Sequence, residues 1–519
     1  MSSLVYLKNK NGTTYVYKNT SYWDKETKKP KSKRRCIGHL NPETGNIEPN
    51  TGRGGNKKTT VSTEVNESPK CFTYSCGVST LLDKICKDTG LAHILEKVFA
   101  NDWKAILTCA YYLVSEGQAL SRAEKWSAQA LTPYGTILAD QRISELFTRI
   151  TPTLAQDFFS AWIEHNRGDK YYCMDITSVS SYSELNEFVS YGYNRDKEKL
   201  PQINLLMVSG HTSHLPLFYR TIPGSIRDVN TMDESLGRLE LVDARRLHMV
   251  MDKGFYSENN IDAMYQRHMR FLIGIPFTTS LSLDAVERHR NDEMVSYQHY
   301  CNVLGDELYA DTELIKWKGH RMYLHTYFDN VKAALDEKKF GHRILMEYEE
   351  LVSGKNIKEH QKDYERFFIV KETPKRGRKV EYNQAAINEY RKNTVGWFVL
   401  ATNDIKDAVK ALEIYRQKDS VEKHFDDLKN DLDMKRLRIH SSAAMEGRLF
   451  IQYIALILSA QIKNVMNLNG WFKSHNMQDV IDEMKSLRIV SIEGKRKHIY
   501  TTLTAFQKKI LNLFEISIR

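Results

Sequence analysis

Three carboxylates stand out by the residues around them. Asp175 closes the apolar run YYCMD, and Asp252 closes LHMVMD in the same way. An unpaired carboxylate beside a buried strand is costly, so it tends to be held by a cation. Ends of central strands are also where sites gather in α/β sheets. Each aspartate alone has a plainer reading as a cap or turn residue, and Asp252-Lys253-Gly254 would serve as a turn. The third carboxylate, Glu422, lies in EIYRQKDSVEKHFDDLKN, where Tyr415, Lys418, Glu422, Phe425 and Lys429 follow at intervals of 3, 4, 3 and 4. Such intervals put all five on one stripe of an α-helix. Ile414, Val421, Leu428 and Leu432 form a neighbouring apolar stripe that can face a core. An i,i+4 ion pair between Lys418 and Glu422 on a solvated face would explain the same pattern without chemistry.

Taken together, oxygen ligands from two strand ends and one helix suit hard ions such as Mg²⁺ or Mn²⁺. Two such ions roughly 4 Å apart activate a water or a 3′-hydroxyl and stabilise the leaving oxygen of an in-line phosphodiester displacement. Positive side chains on the Glu422 stripe would then hold a phosphate backbone.

The elements that must position these residues change character along the chain. From 169 to 275, the runs KYYCMDITSVS, QINLLMVSG and LPLFYRTIPGS read as three strands. A helix-like stretch (VNTMDESLGRLELV), the strand RLHMVMD, a helix near SENNIDAMYQRH and the strand RFLIGI follow. Strands, then alternating helix and strand, predict an α/β sheet. Residues 276–395 break the alternation with short strand-like pieces (ELIKWKGHRMYLHTYF, ERFFIVKE) and a basic turn, PKRGRKV, and read as a β-rich insertion. Order resumes over 396–435 with GWFVLATND and a helix from about Ile405 to Leu432. The regions 71–168 and 436–519 are helical in pattern, the first a candidate for DNA binding. Residues 1–50 alternate like short hairpins, and 51–70 read as a linker.

The chain of 519 residues is 41% hydrophobic, enough to bury real cores, which excludes global disorder. Its net charge is +10, and residues 1–70 carry 14 Lys+Arg against 6 Asp+Glu, a local excess of +8. A basic segment interleaved with Tyr15, Tyr17, Tyr22 and Trp23 fits a polyanion, although a solvated Lys-rich arm would look the same. No run of 18 apolar residues occurs, and the stretch around Leu449 to Ala460 suits a buried helix. The opening MSSLVYLKNKNG lacks the apolar segment of a secretory signal. The expectation is a cytoplasmic protein with no membrane association. Seven cysteines are scattered; Cys71, Cys76 and Cys86 lie closest together but without a histidine at finger-like spacing, so reduced structural thiols are expected rather than zinc.

Tyr415-x2-Lys418-x3-Glu422-x6-Lys429 resembles the Y-x2-R-x3-E-x6-K signature of DDE transposases of bacterial insertion sequences, in the insertion-sequence-four superfamily. LHMVMDKGF is similar to the family's second-aspartate strand, and Pro223-Gly224 with Asp228 in IPGSIRD is similar to its PGN-x2-D turn. The resemblance covers about 169–470, and the arm YVYKNTSYWDKETKKPKSKRRCIGHLNPETG resembles the N-terminal part of one branch. It implies a multidomain α+β fold: a ribonuclease-H-like α/β core interrupted by a β-rich insertion, with an N-terminal basic β-rich arm and helical flanking regions. It implies Asp175, Asp252 and Glu422 as catalytic metal ligands for two Mg²⁺ or Mn²⁺ ions, with Tyr415, Lys418 and Lys429 on transposon-end DNA. Lys418 departs from the usual arginine, keeping the charge but losing the bidentate fork. Relatives cut through a DNA hairpin and hold a flipped base against a tryptophan. Trp317 in IKWKGHRMY is the candidate here, Trp397 an alternative, and a core role the plainer reading of either. Lys375, Arg376, Arg378 and Lys379 of the basic turn would track phosphates or form an exposed charged loop. The implied partners are double-stranded DNA, as terminal inverted repeats and target, and a second copy of the chain through 436–519. A catalytically inactive transposon-derived DNA-binding protein and a stand-alone structure-selective nuclease are the competing expectations.

Overall fold

A computed structural model describes the chain apart from residues 1, 11, 25–27, 43, 50–70, 184–185, 227–231, 233–247, 291–295, 374–376, 438, 440, 493–497 and 519. The expected linker 51–70, Asp228, Lys375 and Arg376 therefore lie outside the described residues, as does the helix-like stretch 229–242 except for Met232. The chain divides into two compact units, Met1–Lys70 and Cys71–Arg519.

The first unit is an antiparallel sheet of β1 (Ser2–Lys8), β2 (Thr14–Asp24), β3 (Lys29–Leu40) and β4 (Ile47–Glu48), in that order. Gly12 supplies the positive φ of 81° that the turn between β1 and β2 requires. Val16 is its one fully buried apolar side chain among the described residues, so this sheet is nearly all surface.

The second unit begins with β5 (Cys71–Ser75) and is built on one large mixed sheet. One end of it is β6 (Tyr171–Ser181), β7 (Gln202–Gly210) and the edge strand β8 (Pro216–Pro223), an antiparallel meander. Next, β9 (His248–Met251) runs parallel to β6, and β10 (Arg270–Ile275) runs parallel to β9. β6 is buried along its whole length except at Asp175, as expected of a central strand covered on both faces.

Beyond β10 the structure departs from expectation, because residues 276–395 are not a β-rich insertion. β11 (Tyr300–Val303), β12 (Asp306–Trp317) and β13 (His320–Phe328) extend the large sheet, joined to it through β16 (Trp397–Thr402). Met322, Leu324 and Tyr327 of β13 are fully buried. The rest is mainly helical: Asn330–Val352, Gln361–Phe367 and Gln384–Thr394 close on a small core of Phe340, Ile344, Leu351, Tyr364 and Phe367. Among the described residues, only the hairpin of β14 (Phe368–Thr373) and β15 (Gly377–Tyr382) is separate β structure there. Apolar residues are thinly spread along the 23-residue helix, so its period is faint against its charge.

The helix expected from about Ile405 to Leu432 is broken. Ala408–Arg416 ends, Asp419–Asp426 begins, and Asp427–Asp431 forms a π-helical turn. At the break the Lys418 N–H reaches back to the Tyr415 carbonyl and the Val421 N–H to that of Lys418, the tighter i−3 pattern. The π turn keeps Leu428 and Leu432 buried while Asp427 accepts from Lys463 at 2.5 Å.

After the short β17 (Arg436–Leu437), which pairs with β6, the helix Ser442–Leu468 packs against Trp103–Glu116 and Asp140–Arg149. By length and composition this helix could span a membrane, but 78% of its apolar window is buried inside the protein. Its apolar surface is spent within the chain and offers little to a second copy. β18 (Arg488–Ile492) pairs with β5 on one side and β19 (Ile499–Tyr500) on the other. The two flanking helical regions thus build one layer.

Candidate active site

Parallel pairing of β6 with β9 runs from Tyr171 opposite His248 to Met174 opposite Met251. The next step of that register sets Asp175 beside Asp252. Asp252 does end its strand, but Asp175 does not: β6 continues to Ser181, its polar Thr177, Ser178 and Ser180 paired with β7. The end of an apolar run is not the end of a strand when the partner is equally polar.

The broken helix brings its stripe onto these two strands. Tyr415 donates its hydroxyl to Asp252 Oδ1 at 2.9 Å. The Lys418 ammonium lies 3.1 Å from Glu422 Oε1 and 3.9 Å from Asp252 Oδ1. Lys418 is only 13% exposed, whereas Glu422 is 58% and Asp252 40% exposed. A glycine makes this approach possible. A Cβ on Gly274 of β10 would stand 2.7 Å from the Tyr415 hydroxyl, a residue that sequence reasoning passed over.

The electrostatics follow the geometry. Burial pushes the Asp175 carboxyl up to about 6, against the Ile176 N–H and Lys418, while Asp252 adds to the rise and Arg195 opposes it. Burial drives the Tyr415 phenol far above its ordinary range, helped by Asp252, Asp175 and Glu422. Tyr415 is therefore a fixed donor. Burial works against the Lys418 ammonium, but Asp252, Glu422 and Asp175 outweigh it and hold the proton more firmly than usual.

The donor set, all carboxylate oxygen, fits a hard divalent cation in its chemistry. Asp175 is close enough to Asp252 to feel its charge. Among the described residues, however, no group of three His, Cys, Asp or Glu side chains closes into a cage. Lys418 stands among the three carboxylates and supplies the positive charge itself.

The remaining expected residues are placed differently. Lys429 is bound to both oxygens of Asp196 at 2.9 and 2.7 Å, so its ammonium is committed to the loop between β6 and β7. That loop also holds Arg195 and the exposed Tyr191 and Tyr193, none of which the periodicity of the sequence marks.

Trp317 is not brought to the carboxylates. Leu272 of β10 pairs with Thr402, Thr402 with Tyr323, and Tyr323 with Leu314, with Trp317 three positions further on. The direction is away from Ile275 and hence from Asp252, so Trp317 sits at the opposite end of the sheet. Its indole N–H donates to Asp262 at 2.9 Å. Trp397 starts β16 opposite Phe328, at the same end of the sheet as Asp252. It is buried and lines a cavity of about 630 Å³ with Lys253, Phe277, Lys332, Arg343 and Tyr390. In the basic turn, Lys379 is paired with Glu381 at 2.5 Å and Arg378 is exposed.

A family model described as a transposase DDE domain matches residues 166–458. Among solved structures, the cryo-EM structure of the piggyBac transposase synaptic complex with hairpin DNA is similar over 74% of this chain and 69% of that one, at 9% identity and a TM-score of 0.37. No curated protein matches the chain.

Proposed function

We propose, from the premise that this chain belongs to the DDE transposase domain family, that it is a cut-and-paste transposase. In this reading it binds the terminal inverted repeats of its own bacterial insertion sequence and catalyses metal-dependent cleavage and strand transfer. Two copies act on paired ends in the cytoplasm. The observation that carries the reading is the joining of the helix signature to the strand aspartates, through Tyr415 to Asp252 and through Lys418 to Asp252 and Glu422. The strand order β8-β7-β6-β9-β10, with three antiparallel strands followed by two parallel ones, supports a ribonuclease-H-like core. The signature with Lys418 in the arginine position supports the insertion-sequence-four superfamily.

The family generally uses divalent metal ions, and here Asp175, Asp252 and Glu422 would hold two, Mg²⁺ or Mn²⁺. Such ions supply the charge that activates a water or 3′-hydroxyl and steadies the leaving oxygen at phosphorus. The chain's own residues do the rest. Tyr415 fixes the orientation of Asp252 through its hydrogen bond. Asp175 gives up the proton that burial favours when positive charge arrives beside it. Lys418 turns from the carboxylates to a DNA phosphate, a point-charge contact without arginine's fork.

The test uses a plasmid carrying the native flanks of the gene, incubated with wild-type or Glu422→Gln protein in Mg²⁺, Mn²⁺ or EDTA. Metal-dependent breaks at the element ends, abolished by Glu422→Gln while end binding persists, are expected. Full cleavage by that variant would sink the assignment of Glu422. Binding without any cleavage by folded wild-type protein means an inactive end-binding protein. Equal cleavage of scrambled DNA means a structure-selective nuclease.

A further inference from the structure

The N-terminal sheet gathers positive charge on one face. Strand register decides which residues share that face, since opposed residues of an antiparallel pair point the same way. Lys18 is opposite Leu4 on one side and Arg35 on the other, and Thr20 is opposite Ser2 and Lys33. Tyr22 is opposite Lys31 two residues further along. Lys18, Lys31, Lys33, Arg35 and Tyr22 therefore form one continuous patch, and all five are exposed. Lys31 is paired with Asp24. Among the described residues no carboxylate pairs with Lys18, Lys33 or Arg35.

Like charges directly opposite one another destabilise a strand pair. The Lys18–Arg35 pair carries that cost in a sheet with almost no core to offset it. A partner that brings negative charge relieves the cost, and the patch has the dimensions of a backbone contact. Same-face neighbours lie about 5 Å apart across strands and about 7 Å apart along them. Beyond Thr20, where β1 ends, Ser21–Asp24 and Lys29–Ser32 run on as a two-stranded ribbon with Tyr22 and Trp23 exposed. A two-stranded ribbon is a form that the major groove of duplex DNA admits.

We propose that the Lys18–Lys33–Arg35 face of the N-terminal sheet is a docking surface for the phosphate backbone of duplex DNA. This rests on the transposase reading and adds to it a second DNA contact, made by a separate unit and indifferent to base sequence. Phosphate contacts release counterions, and each contributes about 0.9 to the slope of log affinity against log salt.

The experiment measures binding of full-length protein to a fluorescent element-end duplex and to a scrambled duplex, from about 50 to about 200 mM salt. The proteins are wild type, the triple variant Lys18→Gln/Lys33→Gln/Arg35→Gln, and the charge-keeping Lys18→Arg/Lys33→Arg/Arg35→Lys. The glutamine variant is expected to lose about 2–3 from the slope on both duplexes, with an unchanged melting curve. The charge-keeping variant is expected to retain the wild-type slope. A glutamine variant with the wild-type slope overturns the docking surface while leaving the transposase reading intact. So does a loss confined to the element end, which marks base reading, or a charge-keeping variant that fails as badly. Wild-type protein that binds neither duplex overturns the transposase reading instead.

Discussion

Asp175 is the residue on which resting stability and chemistry pull apart. In the folded chain it keeps its proton up to about pH 6, whereas its ordinary value is 3.8. Between those values the folded state binds more protons than the unfolded state. Stability therefore falls as pH rises from about 4 to about 6 and stays lower above that. The loss is on the order of 3 kcal/mol. Asp175→Asn removes the titration, so in EDTA the variant should melt a few degrees above wild type near pH 7 and at the same temperature near pH 4. Calorimetry at the two pH values checks this, and an equal offset at both would contradict it. Asp252, Tyr415, Lys418 and Glu422 were legible in the sequence, because a helical stripe and an apolar run ending in a carboxylate are local patterns. Spacing alone does not tell where Trp317 and Lys429 lie, for one shared reason. Which end of the sheet a hairpin reaches, and which loop crosses a lysine, depend on strand order and not on spacing along the chain.

At the scale of elements, close helix packing hangs on Gly447. It lies inside the helix Ser442–Leu468, where alanine would ordinarily be better by about 0.5–1 kcal/mol. A Cβ there would stand 2.1 Å from the carbonyl oxygen of Phe147 and 2.5 Å from its Cα, backbone atoms that cannot rotate away. Overpacking of that kind costs about 1–3 kcal/mol, so the clash outweighs the gain in propensity. Gly447→Ala should lower the urea midpoint; a raised midpoint would mean that the two helices have room to part. The meander β6–β8, β9, β10 and the flanking helices could be read from period and turn signals. The insertion could not. Its β strands alternate like an isolated ribbon because they run on to the edge of the large sheet, and the helix Asn330–Val352 is too polar for its stripe to show. The glutamate helix looks continuous in sequence because three-four spacing persists across a tight junction and a π turn.

For the whole molecule, the division at Lys70 predicts separable tasks. The large core is built from residues between Cys76 and Phe514. A chain beginning at Cys71 should therefore melt with the transition of the full protein's larger unit and keep Glu422-dependent cleavage at high DNA concentration, while binding DNA less tightly. Scanning calorimetry and a cleavage titration measure the two halves of that expectation; collapse of the transition would show that the boundary is not a folding boundary.

The pairing of β5 with β18 sets a timetable for the newborn chain. Ser75 donates its hydroxyl to the carbonyl of Lys485, 410 residues away, and among the described residues the strand that pairs along Cys71–Ser75 is Arg488–Ile492. At about 5–20 residues per second of synthesis, that edge waits roughly 20–80 seconds before the ribosome delivers its mate. Until then the first helical layer has an open strand. An unpaired edge of that kind is a template for pairing with other chains, so the interval before Arg488–Ile492 emerges is when the young chain is most open to association.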